Sequence, residues 1–363
     1  MPSSVDPTVP DMSSRIHWSL VPAARLVEHA EAWDRLNADT IDSPLLAASF
    51  ILEALTQFGD GAEMLALGHD DEGLAAACLL RKHGLIRVCS FDPSQLPLCP
   101  WLQRPSLELS VLLSGLMQAL PRHVMLLSLT GLDPLGVAPP RRLGRTTLVP
   151  HIVTGCIELS DDLASYWASR SRKFMSNVRR RTGNAQQALG VVDLDVVVEP
   201  EAMESGVRDY ATLEVGGWKG TEDTAVAVGG RQYDFYLNSL RQMARIGEAR
   251  VLRLRIGGRI AALQLALVRG STMYLLKTTH DESLREFAPG VLAKSMLIDT
   301  MHKAEPAIRR IEFYGRLSEW QRPFVTSSRE TYHLNYFRSS IGAWVHSRWS
   351  RSRASAELDT RED

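Results

Sequence analysis

The sequence predicts an α+β fold of two similar halves, each with a mixed, mostly antiparallel sheet flanked by helices. Short apolar runs separated by turn residues occur twice along the chain. Both times they give the order strand, strand, strand, loop, helix, strand. The chain has 363 residues, which is more than one hydrophobic core usually supports. Repetition and length together favour two domains, although a fused fold of two parts would fit equally.

The first half begins with two helices and continues as a meander. Ser43 and Pro44 suit the N-cap and the first position of a helix that runs on to Phe58, and a shorter helix around Trp33 precedes it. Strands at 63–67, 73–80 and 85–91, a helix at 107–120 and a strand at 123–129 follow.

The second half contains the clearest hairpin signal. Gly257 and Gly258 separate two alternating runs, 250–256 and 259–268, and both glycines tolerate the positive φ of a two-residue turn. A strand at 272–278, a helix at 289–304 and a strand at 310–314 complete the repeated order. Between the domain boundary, near 143–149, and this hairpin we expect helices at 161–189, 201–214 and 233–246 and a strand at 191–198.

Composition and motifs exclude several classes of protein. The formal net charge is −1, and the four cysteines show no metal-ligand or paired spacing. Neither a secretory signal nor a membrane span is visible, so we expect a cytoplasmic protein without DNA, membrane or metal as a ligand. The GxSxG, HExxH, Walker A and GxGxxG patterns do not occur, which leaves group transfer as the stronger interpretation.

The turn at Ala288, Pro289 and Gly290 is the first candidate site. Proline suits a first helical position, and glycine permits close approach of a ligand, so the N–H groups of Gly290, Val291 and Leu292 would face a phosphate or pyrophosphate. Taken alone, a Pro-Gly pair usually marks only a helix start. The strands that precede this turn and the strand that follows its helix favour a functional interpretation, a binding site for acyl-CoA.

The extended pantetheine arm of such a donor needs a strand that diverges from its neighbour. The sequence assigns this role to the strand at 259–268, with Ile260 and Leu265 among the donor-binding residues. The free N–H and C=O groups of that strand would then bind the arm.

Two further segments have both a functional and a structural interpretation. Trp218 and Lys219 follow two glycines that end a helix, so they either line an acceptor site or form a helix C-cap with a packed tryptophan. The basic run 170–181 is either a solvated helix face or a contact for a phosphate-rich partner, such as the 3′-phosphate of CoA.

Proton transfer to and from an acceptor requires groups with suitable pKa values. We assign catalytic roles to Glu214, His280 and Tyr314, where the carboxylate or imidazole would act as the base. Acceptor binding is assigned to Trp218, Lys219, Asp281 and Glu312. Each of these has the alternative of being an ordinary surface group.

Four segments in this order resemble the CelD/BcsL-like acetyltransferases of bacterial cellulose and exopolysaccharide biosynthesis. This family belongs to the GCN5-related N-acetyltransferase (GNAT) superfamily and has a Fem-like double fold. The segments are the helix 166–181 with Lys-Phe-x-x-Asn-Val-Arg-Arg at 173–180, Gly217-Trp218-Lys219-Gly220, the strand 258–262 and the turn 289–292. One departure is that Gly315 is followed by Trp320-Gln321-Arg322, where the family has a Tyr-Lys pair.

The resemblance implies tandem GNAT-like domains, acetyl-CoA or another acyl-CoA as donor, and direct transfer to an amine or hydroxyl of a small-molecule, sugar or peptide acceptor. Polysaccharide-biosynthesis proteins are implied partners. We expect a disordered segment at 1–18, a degenerate GNAT-like domain at 19–149, an acyltransferase domain at 150–338 and a C-terminal helix and tail at 339–363. A Fem-like aminoacyl-tRNA-dependent aminoacyltransferase and a non-catalytic scaffold of a polysaccharide assembly remain alternatives.

Overall fold

The computed structural model describes residues 16–216 and 226–340. The strands are β1 (His17–Pro22), β2 (Met64–Asp70), β3 (Gly73–Lys82), β4 (Arg87–Ser90), β5 (Trp101–Gln103), β6 (Leu126–Leu132), β7 (Thr146–Glu158), β8 (Val192–Val197), β9 (Ala249–Ile256), β10 (Arg259–Arg269), β11 (Thr272–His280), β12 (Arg310–Glu312) and β13 (Ser327–Phe337). The α-helices of the described residues are α1 (Ala30–Thr40), α2 (Ala48–Phe58), α3 (Leu109–Ala119), α4 (Leu163–Ala168), α5 (Arg172–Leu189), α6 (Met203–Val215), α7 (Arg231–Ala244) and α8 (Pro289–His302).

The two halves follow the same path through the sheet. In the first half the strand order is β1-β2-β3-β4-β6, and in the second it is β8-β9-β10-β11-β12. Each half has one parallel pair, β4 with β6 and β11 with β12, and a helix connects the two strands of each pair. The other pairs within each half are antiparallel, so the predicted fold class is confirmed.

The sheets of the two halves join at their edges, although the sequence predicts a separate sheet for each half. The last strand of the first half, β7, pairs with β12, and the last strand of the second half, β13, pairs with β6. The strands β7 and β13 also pair with each other, which makes one 13-stranded sheet of the described residues. This exchange leaves neither half with an exposed edge at the junction.

A shared core covers one face of this sheet. Helices α1 and α2 of the first half and α6 and α7 of the second contribute to one hydrophobic cluster. The rings of Phe50 and Phe235 meet edge to face in it, with centroids 5.1 Å apart. On the opposite face, α3 covers the first half, and α5 and α8 contact the second half.

Several predicted boundaries change in the structure. The helix predicted at 161–189 is divided into α4 and α5, because Asp162 and Ser171 each cap a helix start with a side-chain oxygen. The segment expected to be disordered, 1–18, reaches into β1, where His17 pairs with His69. Residues beyond 340, where a C-terminal helix is expected, lie outside the described part. Among the described helices, none has the length and apolarity needed to cross a membrane.

Candidate functional site

The parallel strands β11 and β12 separate after a short paired segment. Their register runs from Thr272 opposite Arg310 to Tyr274 opposite Glu312. Beyond it, the chain after β12 turns toward β7, and the Phe313 N–H donates to the Gly155 carbonyl over 3.2 Å. Within residues 16–216 and 226–340, no backbone hydrogen bond joins 275–280 to 313–317. We call this opening, together with the start of α8, the β11–β12 cleft.

The corresponding opening in the first half is filled by its own chain. Strands β4 and β6 also separate after three paired positions, but Ser90 Oγ and Thr130 Oγ1 then lie within hydrogen-bond distance, at 2.9 Å. The Cys99 N–H donates to the Gly131 carbonyl over 3.0 Å, and β5 occupies the edge of β3. Only the second half therefore leaves the separated edge free among the described residues.

Helix α8 begins at the open end of this cleft, as the turn Ala288 to Leu292 predicts. Ala288 has φ 52°, and its carbonyl accepts from the N–H groups of Val291 at 2.9 Å and Leu292 at 3.2 Å. The Gly290 N–H makes no backbone hydrogen bond in the described part of the chain. Of the three predicted donors, Gly290 is therefore the one whose N–H has no backbone partner in the described part of the chain, and Pro289 occupies the first helical position.

The free strand edge belongs to β11, not to the strand that carries Ile260 and Leu265. That strand, β10, lies between β9 and β11, and Leu265 pairs with Val251 on one side and Lys277 on the other. The backbone groups of Leu265 are therefore used within the sheet, which does not support its predicted arm-binding role; Ile260 pairs only with Arg255 of β9, and its role stays a prediction. A bulge leaves Leu276 as an extra residue in β11, which bends that strand at the cleft.

Two buried polar side chains at the cleft were not singled out from the sequence. Lys294 of α8 is 0 % exposed, and Gln264 of β10 is 1 % exposed. In the described part of the chain, neither Lys294 Nζ nor either polar atom of the Gln264 amide has a hydrogen-bond partner. The Lys294 ammonium lies 4.7 Å from the ring centroid of Phe313. The available signal in the sequence was a lysine on the same helix face as Val291, Leu297 and Ile298.

A network of charged side chains, the junction cluster, lies on the other face where the halves meet. It consists of Asp133, Arg310, Glu312, Tyr314 and Arg329. Arg329 donates to Asp133 over 2.7 Å and to Glu312 over 2.9 Å, and Arg310 donates to Glu312 over 2.6 Å. Glu312 is 2 % exposed and its carboxylate is held in ion pairs, so this geometry does not support its predicted role in acceptor binding.

Tyr314 belongs to the same cluster. Its hydroxyl donates to Asp133 Oδ2 over 2.8 Å, and its ring stacks on Tyr274 at a centroid distance of 6.1 Å. Burial and the carboxylates of Asp133 and Glu312 raise the pKa of Tyr314 well above its ordinary value. The phenol therefore stays protonated, and its proton is directed at Asp133, so the geometry does not support its predicted catalytic role.

Glu214 lies in the shared core. It is 1 % exposed, and its two carboxylate oxygens accept from the Tyr210 hydroxyl at 2.7 Å and from the Val226 N–H at 2.8 Å. These contacts hold Val226 against α6. The predicted role of Glu214 as a general base is not supported, because the carboxylate is enclosed and both oxygens are used. Trp218 and Lys219 lie outside the described residues.

His280 and Asp281 lie at the far end of β11. His280 Nε2 is 3.7 Å from the Glu282 carboxylate and its side chain is 39 % exposed, so it is reachable from solvent. Asp281 caps the turn at Glu282–Phe287 by accepting from Ser283, and it pairs with Arg259. Burial would raise the pKa of Asp281, but the bonds from Ser283 and the charge of Arg259 outweigh it and lower the pKa. Asp281 is thus a turn residue and does not support its predicted acceptor role.

The basic helix α5 borders the cleft. Arg181 donates to the Glu286 carbonyl over 2.9 Å, which connects α5 with the turn before α8. Lys173, Asn177 and Arg180 line an open groove of about 520 Å³ along the same helix. In the described ranges, no group of three or more His, Cys, Asp and Glu side chains is arranged to hold a metal ion.

Comparisons with known proteins concern the second half most directly. A family model described as "Acetyltransferase (GNAT) domain" matches residues 172–322. No curated protein sequence matches the chain. The matched range contains β11, α8 and β12, and the first half repeats the same topology around a filled opening.

Solved structures share the fold at low sequence identity. A conserved protein of unknown function from Bacteroides thetaiotaomicron is 12% identical, with a TM-score of 0.53 over 85% of this chain and 97% of that chain. FemX is 12% identical, with a TM-score of 0.53 over 85% of this chain and 96% of that one. The C-terminal domain of a lysylphosphatidylglycerol synthetase candidate from Agrobacterium fabrum is 11% identical, with a TM-score of 0.50 over 88% and 95%. At these identities the likeness concerns the fold.

Proposed function

We propose that the second half, a GNAT-type acetyltransferase domain, transfers an acyl group from an acyl-CoA thioester directly to an amine or hydroxyl acceptor. The observation that carries the proposal is the β11–β12 cleft, which combines a free strand edge with an unpaired N–H at the start of α8. The first half, whose equivalent opening is filled, contributes the junction instead of a second donor site.

The cleft offers complementary groups for each part of CoA. The Gly290 N–H and the positive end of α8 suit the pyrophosphate. A strand edge of six residues, 275–280, spans roughly 20 Å without backbone hydrogen bonds to 313–317 in the described chain, and such an edge suits the two amides of a pantetheine arm. Lys173 and Arg180 on the adjacent α5 supply positive charge for the 3′-phosphate.

The acceptor would bind on the face of the sheet opposite the donor turn. We place it on the face of the sheet that carries Tyr274 and Tyr314, since the donor turn lies on the α8 side. Of the predicted catalytic residues in the described part of the chain, His280 is the one with an exposed side chain. It lies at the open end of the cleft, opposite Ala262 on the α8 side, and its role as the base stays a prediction. A sugar, peptide or small-molecule acceptor, and a role in polysaccharide biosynthesis, follow from the CelD/BcsL-like resemblance and are proposals at that level.

Thermal unfolding with and without acetyl-CoA tests the donor. Binding to the native state alone raises the free energy of unfolding by about 2.7 kcal/mol at a hundredfold excess over Kd, so the melting temperature rises by several degrees. Free adenosine, which lacks both the pyrophosphate and the arm, is the matched ligand control and should give no comparable shift. No stabilisation by any CoA thioester at millimolar concentration would overturn the proposal. If acetyl-CoA stabilises the protein but no acceptor in a panel causes release of the CoA thiol, the result would favour the alternative of a non-catalytic scaffold.

An aminoacyl-tRNA donor is the second candidate, and the basic groove on α5 favours it. tRNA binding that falls steeply with salt, and that weakens when Arg179 and Arg180 are replaced by glutamine, is the expected signature. Both arginines are exposed, so the double variant should fold normally. Acetyl-CoA stabilisation without tRNA binding would exclude this candidate.

A further inference from the structure

Two polar side chains are buried without partners beneath α8. Lys294 and Gln264 are 0 % and 1 % exposed, and the Lys294 Nζ and both polar atoms of the Gln264 amide lack hydrogen bonds among the described residues. Burying such groups without a partner costs on the order of 1–3 kcal/mol each. Residues that lower stability in this way are expected where function requires them.

Lys294 lies at the closed end of the β11–β12 cleft, whereas Gln264 lies farther along it, opposite Thr278 of β11. Phe313, over which the Lys294 ammonium lies at 4.7 Å, is the first residue beyond the paired segment of β12. Gln264 alternates with Ala262 and Ala266, which pack in the clusters that contain residues of α8. Gln264 therefore faces α8 as well, and its neighbour in β11 is Thr278.

Within residues 16–216 and 226–340, the surroundings of Lys294 carry no compensating charge. Burial lowers its pKa to about 7. Glu312, next to Phe313 in the chain, pairs with Arg310 and Arg329 on the opposite face. Asp299, the acidic residue of α8, is exposed and accepts from the Trp167 indole N–H. An amine whose pKa is lowered toward neutrality gives up its proton more readily than an ordinary lysine, which suits proton transfer.

We propose that Lys294 donates a proton to the sulfur that leaves when the acyl group is transferred, and that Gln264 binds the adjoining amide of the pantetheine arm. This inference rests on the proposed function. With the pyrophosphate at Gly290, the arm follows β11 toward the closed end of the cleft, so the thioester arrives near Lys294.

The step balances in atoms and electrons. The acceptor nitrogen or oxygen forms a bond to the thioester carbon, and the carbon–sulfur bond breaks with its electron pair on sulfur. The sulfur then takes a proton from the Lys294 ammonium and leaves as the thiol of CoA. The proton lost by the acceptor is returned through solvent to the neutral lysine. Tyr314 is unsuited to this role because its proton is directed at Asp133.

The ionisation of bound CoA tests the contact with sulfur. Beside Lys294 the CoA thiol should lose its proton at a pH at least one unit below that of free CoA, because an adjacent amine accepts the proton and stabilises the thiolate. The ultraviolet absorbance of the thiolate reports this. In the Lys294→Met variant, bound CoA should ionise at or above the pH of free CoA. Lys303→Met, an exposed lysine at the end of the same helix, is the control and should behave as the wild type.

A wild-type measurement keeps the inference testable if Lys294→Met does not fold. At pH 8, CoA should bind at least tenfold more tightly than desulfo-CoA, which lacks the sulfur. Equal affinities for CoA and desulfo-CoA would overturn the role of Lys294 but not the proposed function. Equal thiol ionisation in the wild type and the Met variant would do the same. If the wild type bound no CoA at all, the proposed function would fall together with it.

Discussion

At the scale of single residues, Lys294 shows how a functional site can be recognised by the folding stability that a buried polar residue costs. An amine enclosed by apolar side chains loses its hydration, and no carboxylate in the described part of the chain is recorded as offsetting that loss. A methionine would fill similar volume without a polar atom. The presence of lysine therefore lowers stability, and function is the reason we propose for it.

The pH dependence of unfolding should reveal this lysine. The unfolded chain keeps the Lys294 proton up to a pKa of 10.5, whereas the folded chain loses it near 7. Between these values unfolding takes up a proton, so the free energy of unfolding rises with pH by up to about 1.4 kcal/mol per unit. Lys294→Met should thus be more stable than the wild type at pH 7, by more than about 1 kcal/mol, and the difference should shrink toward pH 9.

Urea unfolding of both proteins at pH 7, 8 and 9 measures this difference. Lys303→Met controls for the loss of a lysine charge. A difference that is constant between pH 7 and 9 would show that Lys294 keeps its proton in the folded state, contrary to the account.

Among the site residues, local sequence pattern located the turn but not its neighbours. Pro289 and Gly290 indicate a helix start from the sequence alone, because proline is favoured at the first helical position. Glu214 and Tyr314 carry none, because their partners, Val226 and Asp133, come from segments that only the folded chain brings together. Hydrogen bonding of this kind decides whether a carboxylate or phenol is available for chemistry.

At the scale of elements, the β9–β10 hairpin was predictable and its environment was not. Gly257 and Gly258 have φ of 59° and 79°, as a two-residue turn requires. However, a Cβ at Gly257 would lie 2.1 Å from the Leu189 carbonyl oxygen at the end of α5, whereas one at Gly258 would meet nothing within 4 Å. The packing of α5 against the hairpin therefore leaves no room for a side chain at Gly257, whereas Gly258 is restricted only by its backbone conformation.

Alanine substitution at the two glycines separates these contributions. Gly258→Ala should cost only the backbone strain of a left-handed residue, about 1 kcal/mol. Gly257→Ala adds a clash with backbone and should cost at least about 1 kcal/mol more. Midpoints of chemical unfolding measure both, and equal losses would mean that α5 does not approach the hairpin as described.

The error over the free strand edge also belongs to this scale. Alternation of apolar residues identified β10 and β11 as strands, but a strand's pattern does not name its neighbours. Strand β10 carries the longer apolar run because it is bonded on both sides, and that burial makes Leu265 unavailable to a ligand. The exposed edge lies on β11, whose more polar end, with Lys277 and Thr278, was the better indicator.

At the scale of the whole molecule, the halves are joined by exchange of their last strands. The repeated order of strands predicts two similar halves, and this part of the fold was accessible from the sequence. The pairing of β13 with β6 joins residues about two hundred positions apart, such as Asn335 and Ser128, and no local pattern encodes it. The junction cluster then fixes the halves by ion pairs from both.

Removing Asp133 should weaken this junction strongly. Asp133→Ala leaves Arg329 and the Tyr314 hydroxyl without one of their buried partners, and breaking such a pair costs about 3 kcal/mol. The exposed pair of Arg322 and Glu319 provides the control, since Glu319→Ala should change stability by less than about 0.5 kcal/mol. Urea unfolding followed by tryptophan fluorescence gives both values, and similar effects of the two substitutions would argue against a junction held by Asp133.

The location of a bound donor tests the central claim most directly. A crystal structure of the complex with acetyl-CoA should show the pyrophosphate at the Gly290 N–H and the arm along residues 275–280 of β11, with the sulfur near Lys294. The opening between β4 and β6 should stay filled by its own chain. A donor bound in the first half, or along α5 without entering the β11–β12 cleft, would contradict the account.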